Sequence, residues 1–241
     1  MDNNILIYFL LAIAPGLIWL LYFLRSDKLP EPKLQIIKIF VYGLIITIPA
    51  AFIEMVLIQH LDLAKLDITT NTIVHYIFII GLIEELAKYA IVRFFILKHS
   101  CMDEPIDVAL YMIISALGFA TLENILVFSD PNMIQLAGSP IYLATVRFIG
   151  PTLLHAMCSG LIGCFIALSF YLLRFRWLMV SIGFTLAICL HGLFDFYIQL
   201  GIMDSATEAE KTYPLLILII ITAATSILLK EIRKIKSICK I

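Results

Sequence analysis

Charged side chains are scarce in this sequence, 15% of 241 residues, where a soluble globular chain carries about 25%. With 62% of residues hydrophobic and a mean hydropathy of +1.02, that scarcity excludes a soluble fold, which could not hide so much apolar surface. Cysteine is sparse and odd in number: of five, Cys158, Cys164 and Cys189 lie in apolar runs, and Cys101 and Cys239 lie in segments placed in the cytoplasm below. A disulfide framework is excluded on that pattern. No basic block is present, which excludes a nucleic-acid partner, and the net charge of −1 says little when the position of each Lys and Arg matters more than the sum. Neither an internal repeat nor a low-complexity linker divides the chain, and its length leaves room for several spans but no sizeable aqueous domain. One transmembrane domain over residues 1–241 is expected.

Long apolar runs are what the chain has in abundance. Bounded by charge, Pro or Gly, they cover Ile5–Leu24, Leu34–Ile58, Thr72–Leu97, Ile106–Phe128, Gly150–Leu173, Trp177–Leu200 and Tyr213–Leu229. The expected fold is therefore an all-α polytopic bundle of about seven spans, with Ile141 to Ile149 as a short interfacial helix leading into the fifth. The first run follows Asp2 rather than a basic segment and lacks a small-residue cleavage pattern, so it reads as a retained helix. Basic residues alternate between the loops. Twelve (Arg25, Lys28, Lys33, Arg93, Lys98, Arg174, Arg176, Lys230, Arg233, Lys234, Lys236 and Lys240) fall on one side, against Lys65, Arg147 and Lys211 on the other. The positive-inside rule then puts the N-terminus outside and the C-terminus in the cytoplasm. Ser159, Gly160 and Gly163 in the fifth span would let neighbouring backbones approach closely, a packing feature without functional content.

Several ionisable residues interrupt these runs, where each costs a few kcal/mol. The third span holds Glu84-Glu85-Leu86-Ala87-Lys88 near its midpoint. Glu84 and Lys88, four residues apart, share a helical face and can pair, which leaves Glu85 uncompensated on its own helix. Two adjacent carboxylates in a low-dielectric site disfavour joint ionisation, so one should exchange a proton near neutral pH and serve as acid or base. The fourth span carries Glu123-Asn124, the fifth opens with His155 eight residues after Arg147, and the sixth carries His191-Gly-Leu-Phe-Asp195. A spacing of four lets Asp195 orient the His191 ring. With the topology above, Glu123, His155 and Asp195 fall within about two helical turns of the outer end, and Glu85 and His191 lie deeper. All can face one cavity. Glu54, His60, His75 and His99 sit near expected helix ends, where snorkelling explains them, and are left out of the site.

Taken in order, Glu84-Glu85-Leu-Ala-Lys88, Phe119-x-x-x-Glu123-Asn124, Arg147 with His155, and His191-x-x-x-Asp195 resemble the motif set of the PrsW family of intramembrane proteases, relatives of the CAAX prenyl endopeptidases and bacteriocin-processing enzymes. The resemblance covers about Gly81 to Phe196, and Ala14-Pro15-Gly16 with Pro30-Glu31-Pro32 is similar to the family's N-terminal region. It implies a multi-pass cell-membrane endopeptidase with a protease core at about residues 72–200. Its substrate would be a single-span membrane protein such as an anti-sigma factor, given the first, extracytoplasmic-side cut that starts release of a sigma factor. The CAAX pattern has Arg one position after Lys88 and typically Asn in place of Asp195, so the departures speak against prenylated substrates.

Peptide hydrolysis needs an activated water, oxyanion stabilisation and a proton for the leaving amine. In a metal-dependent version, His155, His191 and Glu123 would hold Zn²⁺ and Glu85 or Glu84 would act as base. A metal-free version has the glutamate pair activate water while His155, His191 and Asn124 stabilise the oxyanion. Both stay open at this point, with Lys88, Asn124 and Arg147 in support and Glu85→Gln expected to remove proteolysis. The competing reading is a proton-coupled transporter or channel with a carboxylate and histidine relay. The apolar cytoplasmic halves of spans four to six favour a closed chamber instead.

Overall fold

Proline stands at the first position of four helices, where its missing N–H costs nothing and its fixed φ suits the first turn. These are α5 (Pro105–Ser129), α6 (Pro131–Ala137), α7 (Pro140–Ile149) and α8 (Pro151–Tyr171). α5 adds a capping box of Glu104 and Asp107, and α10 (Glu208–Ile232) has another, of Thr207 and Glu210. The remaining helices are α1 (Asn3–Arg25), α2 (Lys33–His60), α3 (Ile68–Ile73), α4 (Leu82–Phe95) and α9 (Arg176–Gly201). This computed structural model describes residues 3–25, 31–61, 67–97, 104–201 and 207–235. Asp2, Lys28, Pro30, Lys65, Lys98, His99, Cys101, Lys236, Cys239 and Lys240, used in the sequence analysis, lie outside the described residues.

The described residues form helices and no strand, an all-α polytopic bundle. Among the described residues, six helical stretches are long and apolar enough to cross a membrane: Ile5–Arg25, Lys33–His60, Pro105–Ser129, Pro140–Tyr171, Leu173–Gly201 and Glu208–Ile232. The expected third span, Thr72–Leu97, takes another form: α3 runs into a wider π-helical stretch, Val74–Gly81, which leads into α4. The short helix expected before the fifth span is α7, divided from α8 at Gly150.

α5 and α8 form the centre and are buried over most of their length, while the other long helices turn one face outward. α1 and α2 cover one side of α5, α9 and α10 pack on α8, and α4 lies between α2 and α5 with the π stretch against α9. Gly163 sets the α5–α8 spacing, since a Cβ there would stand 2.4 Å from Ala109 Cα. Cys158, Cys164 and Cys189 are free thiols.

Candidate active site

Glu84, Glu85 and Lys88 lie on the first turns of α4 and point into the bundle, buried to within 6% of full enclosure. An ammonium has three protons and no lone pair. Lys88 Nζ uses its three on Glu84 Oε2 at 3.1 Å, Glu85 Oε1 at 2.9 Å and His155 Nδ1 at 2.8 Å. Below it, the Phe119 ring centroid lies at 4.5 Å, a cation–π contact that gives the motif's phenylalanine a purpose. The expectation that Lys88 pairs with Glu84 alone is corrected. Positions three apart also share a helical face, and Glu85 is the closer partner.

Since Lys88 can only donate, His155 Nδ1 accepts, and the proton of the neutral ring sits on Nε2, which donates to Glu123 Oε2 at 2.8 Å. Glu123 is held in turn by Arg147 Nη2 at 3.0 Å. Arg147 Nε donates to Asn124 Oδ1, whose amide nitrogen donates to Thr152 Oγ1 at 3.1 Å. Asn124 is thus committed to holding Arg147. On α9, His191 Nδ1 meets Glu85 Oε1 at 2.9 Å, while Nε2 turns to Asp195 Oδ2 at 3.3 Å and Glu84 Oε2 at 3.5 Å. Glu85 is the closer orienter of the ring, a place the sequence reading gave to Asp195.

Both oxygens of Glu85 are engaged: Oε1 accepts from Lys88 and His191, and Oε2 from the Ser159 hydroxyl at 2.7 Å. Glu84 uses only Oε2, and Oε1 has no hydrogen bond among the described residues. His155 Nδ1 and His191 Nε2 approach Glu84 Oε2 at 3.6 and 3.5 Å, and the two rings meet edge to face at 4.8 Å. Glu84, His155 and His191 each offer one donor atom within 4.8 Å of the others. Two imidazoles and a carboxylate are the kind and number of protein ligands found in catalytic zinc sites. The third donor of that group is Glu84; Glu123, which the sequence reading chose, meets the opposite nitrogen of His155.

All six proposed site residues and the three supporting ones therefore belong to one connected network. Two further members escaped the sequence reading. Ser159, read as packing only, donates to Glu85. Glu54, read as a snorkelling residue, lies within electrostatic reach of Lys88, Glu123, His191 and Asp195, with Oε1 buried and unpartnered among the described residues. Its neighbours Phe52, Ile53 and Met55 face outward while Glu54 is half-buried, an orientation for which the uniformly apolar residues around it give no sequence signal. His60 fits its earlier placement, with its ring on the Val56 carbonyl at the exposed end of α2.

A family model described as PrsW family intramembrane metalloprotease matches residues 31–225. The chain is 30% identical over 185 residues to Protease PrsW of Geobacillus kaustophilus, covering 76% of each protein. To Protease PrsW of Bacillus subtilis it is 30% identical over 189 residues, 77% of this chain and 79% of the relative. To Protease PrsW of Clostridioides difficile it is 27% identical over 205 residues, 80% and 79%. No solved structure matches the chain.

Proposed function

The chain belongs to the PrsW family of intramembrane metalloproteases, and we propose from that premise which of its residues cut the peptide bond and in what order. It is a multi-pass membrane protein and an intramembrane endopeptidase, which decides for hydrolysis over a proton-coupled relay. The observation that carries the scheme is the asymmetry of the glutamate pair: Glu85 has both oxygens committed, whereas Glu84 has Oε1 free among the described residues and brings only Oε2 to Lys88 and the two imidazoles.

Glu84 takes a proton from water, whose oxygen adds to the scissile carbonyl carbon. Lys88, bonded to Glu84, puts a fixed positive charge beside the reacting centre, which favours the oxyanion that forms. The proton passes from Glu84 to His191 Nε2, 3.5 Å away, and on to the leaving amine as the C–N bond breaks. Glu85 fixes Lys88 and His191, while Glu123 and Arg147 fix His155. A divalent metal, if bound, would be held by Glu84, His155 and His191 and would polarise the carbonyl as a Lewis acid; His191 Nε2 would then be a ligand, and Glu84 would have to return the proton to the leaving amine through its other oxygen. The substrate is a single-span membrane protein of the anti-sigma-factor kind, cut on its extracytoplasmic side, and the protease core covers about residues 72–200 with Glu54 of α2 added.

Cleavage of a single-span substrate in reconstituted vesicles tests the assignment. Glu84→Gln keeps the shape but cannot take the proton, so turnover should fall about 10²–10⁴-fold with the thermal midpoint little changed. Cleavage at more than half the parent rate would remove Glu84 from the role of base.

A further inference from the structure

Two of the three donor atoms gathered for a metal are already bonded to a cation of the protein's own. Lys88 Nζ lies 2.8 Å from His155 Nδ1 and 3.1 Å from Glu84 Oε2, and these two atoms are 3.6 Å apart. A metal held by the same atoms would stand at about 2 Å from each. An ammonium and a metal ion cannot both occupy the space those donors enclose. Two like charges at that separation would also repel strongly in an interior where Lys88 is wholly buried.

We propose that the Lys88 ammonium and a divalent metal ion compete for one seat, so that Lys88 serves as an internal cation and must withdraw from His155 and Glu84 before a metal binds. The inference deepens the reading above, since it uses the same donor set, but it does not depend on cleavage. Lys88 has a second anchor to withdraw to: Glu85 Oε1 lies 2.9 Å from Nζ and is outside the donor triad. Withdrawal would free His155 Nδ1 and the Glu84 oxygen while keeping one ion pair. In the filled state the ammonium holds the donors together and balances the charge of Glu84 and Glu85, which otherwise repel.

Mass action gives the size of the effect: a ligand for a state populated to a fraction f binds weaker by that fraction. The purified full chain is titrated with Co²⁺, read by its absorption spectrum, and with Zn²⁺ in competition. Lys88→Gln, which removes the internal cation and keeps a hydrogen-bond donor, should bind one metal ion about tenfold or more tighter than the parent. Lys88→Arg should show no gain, and adding His155→Ala to Lys88→Gln should abolish the gain. Equal or weaker binding by Lys88→Gln overturns the proposal.

A measurement on the parent protein stands in if that variant does not fold. Acylation of Lys88 by a membrane-permeant amine reagent, read by peptide mass, should rise several-fold with saturating Zn²⁺, and unchanged or lower labelling overturns the proposal. Because neither readout is proteolysis, a failed cleavage assay would count against the reaction scheme alone, and a failed binding comparison against the shared seat alone.

Discussion

Glu54 keeps a carboxylate oxygen buried without a hydrogen-bond partner among the described residues, a costly state inside a helix bundle. Replacing it with Leu removes the unsatisfied acceptor and should stabilise the fold by about 1–3 kcal/mol. If Glu54 serves the reaction through its field on Lys88 and His191, the same change should lower cleavage. The expected variant is therefore more heat-resistant and less active, and a variant that gains no stability would show the carboxylate to be compensated. The six candidate site residues were legible because ionisable groups stand out in apolar sequence. Ser159 was not, since a serine beside Gly160 reads equally well as a packing residue. Glu54 was missed because depth was judged from the nominal end of its span, whereas α2 continues to His60 and turns the residue inward.

At the scale of elements, the run-and-loop pattern carried the long helices, and Pro at first positions fixed several starts. The π stretch was invisible, because Val74–Gly81 is an apolar run like any other and its width is set by what it packs against. That partner is α9, at Gly192, where an added Cβ would stand 2.6 Å from the Tyr76 carbonyl oxygen and 2.7 Å from Ile77 Cα. The π stretch leads straight to Glu84, and Gly192 follows His191, so this contact spaces the carboxylates against the imidazole. Gly192→Ala should cost about 1–3 kcal/mol in stability. Cleavage should fall much further, about 10²-fold, since a displacement of about 1 Å suffices for that. Parallel measurement of thermal midpoint and turnover checks this, and a loss of activity in step with stability would make Gly192 a packing residue only.

For the whole molecule, we propose from the uneven division of basic residues, twelve against three, that the N-terminus is outside and the C-terminus in the cytoplasm, which requires the run from α3 through α4 to cross the membrane as a seventh span. Reporter fusions at both ends should show that orientation, and a cytoplasmic N-terminus would move the cut to the opposite side of the membrane. Bundle class and span order were legible because the bilayer leaves few ways to satisfy a backbone. Which helices lie at the centre was not, because α5 and α8 are no more apolar than the helices around them.

Exposure is graded across the network. The side chains of Glu85 and Lys88 are sealed and that of Glu84 is 8% exposed, while Glu123 and Asp195 are open to 31% and 28%. The approach is therefore from the Glu123 and Asp195 side, into a space whose donor atoms lie within 4.8 Å of one another. The carbonyls of a wound helix are already engaged along its own axis, so the carbonyl to be attacked is not free to meet the glutamate pair. The segment to be cut has to arrive unwound, its backbone groups finding hydrogen bonds on the chamber wall in place of those it gave up. Selection then operates on how readily a segment gives up its helix as well as on which side chains it carries, and a stably wound span passes by uncut.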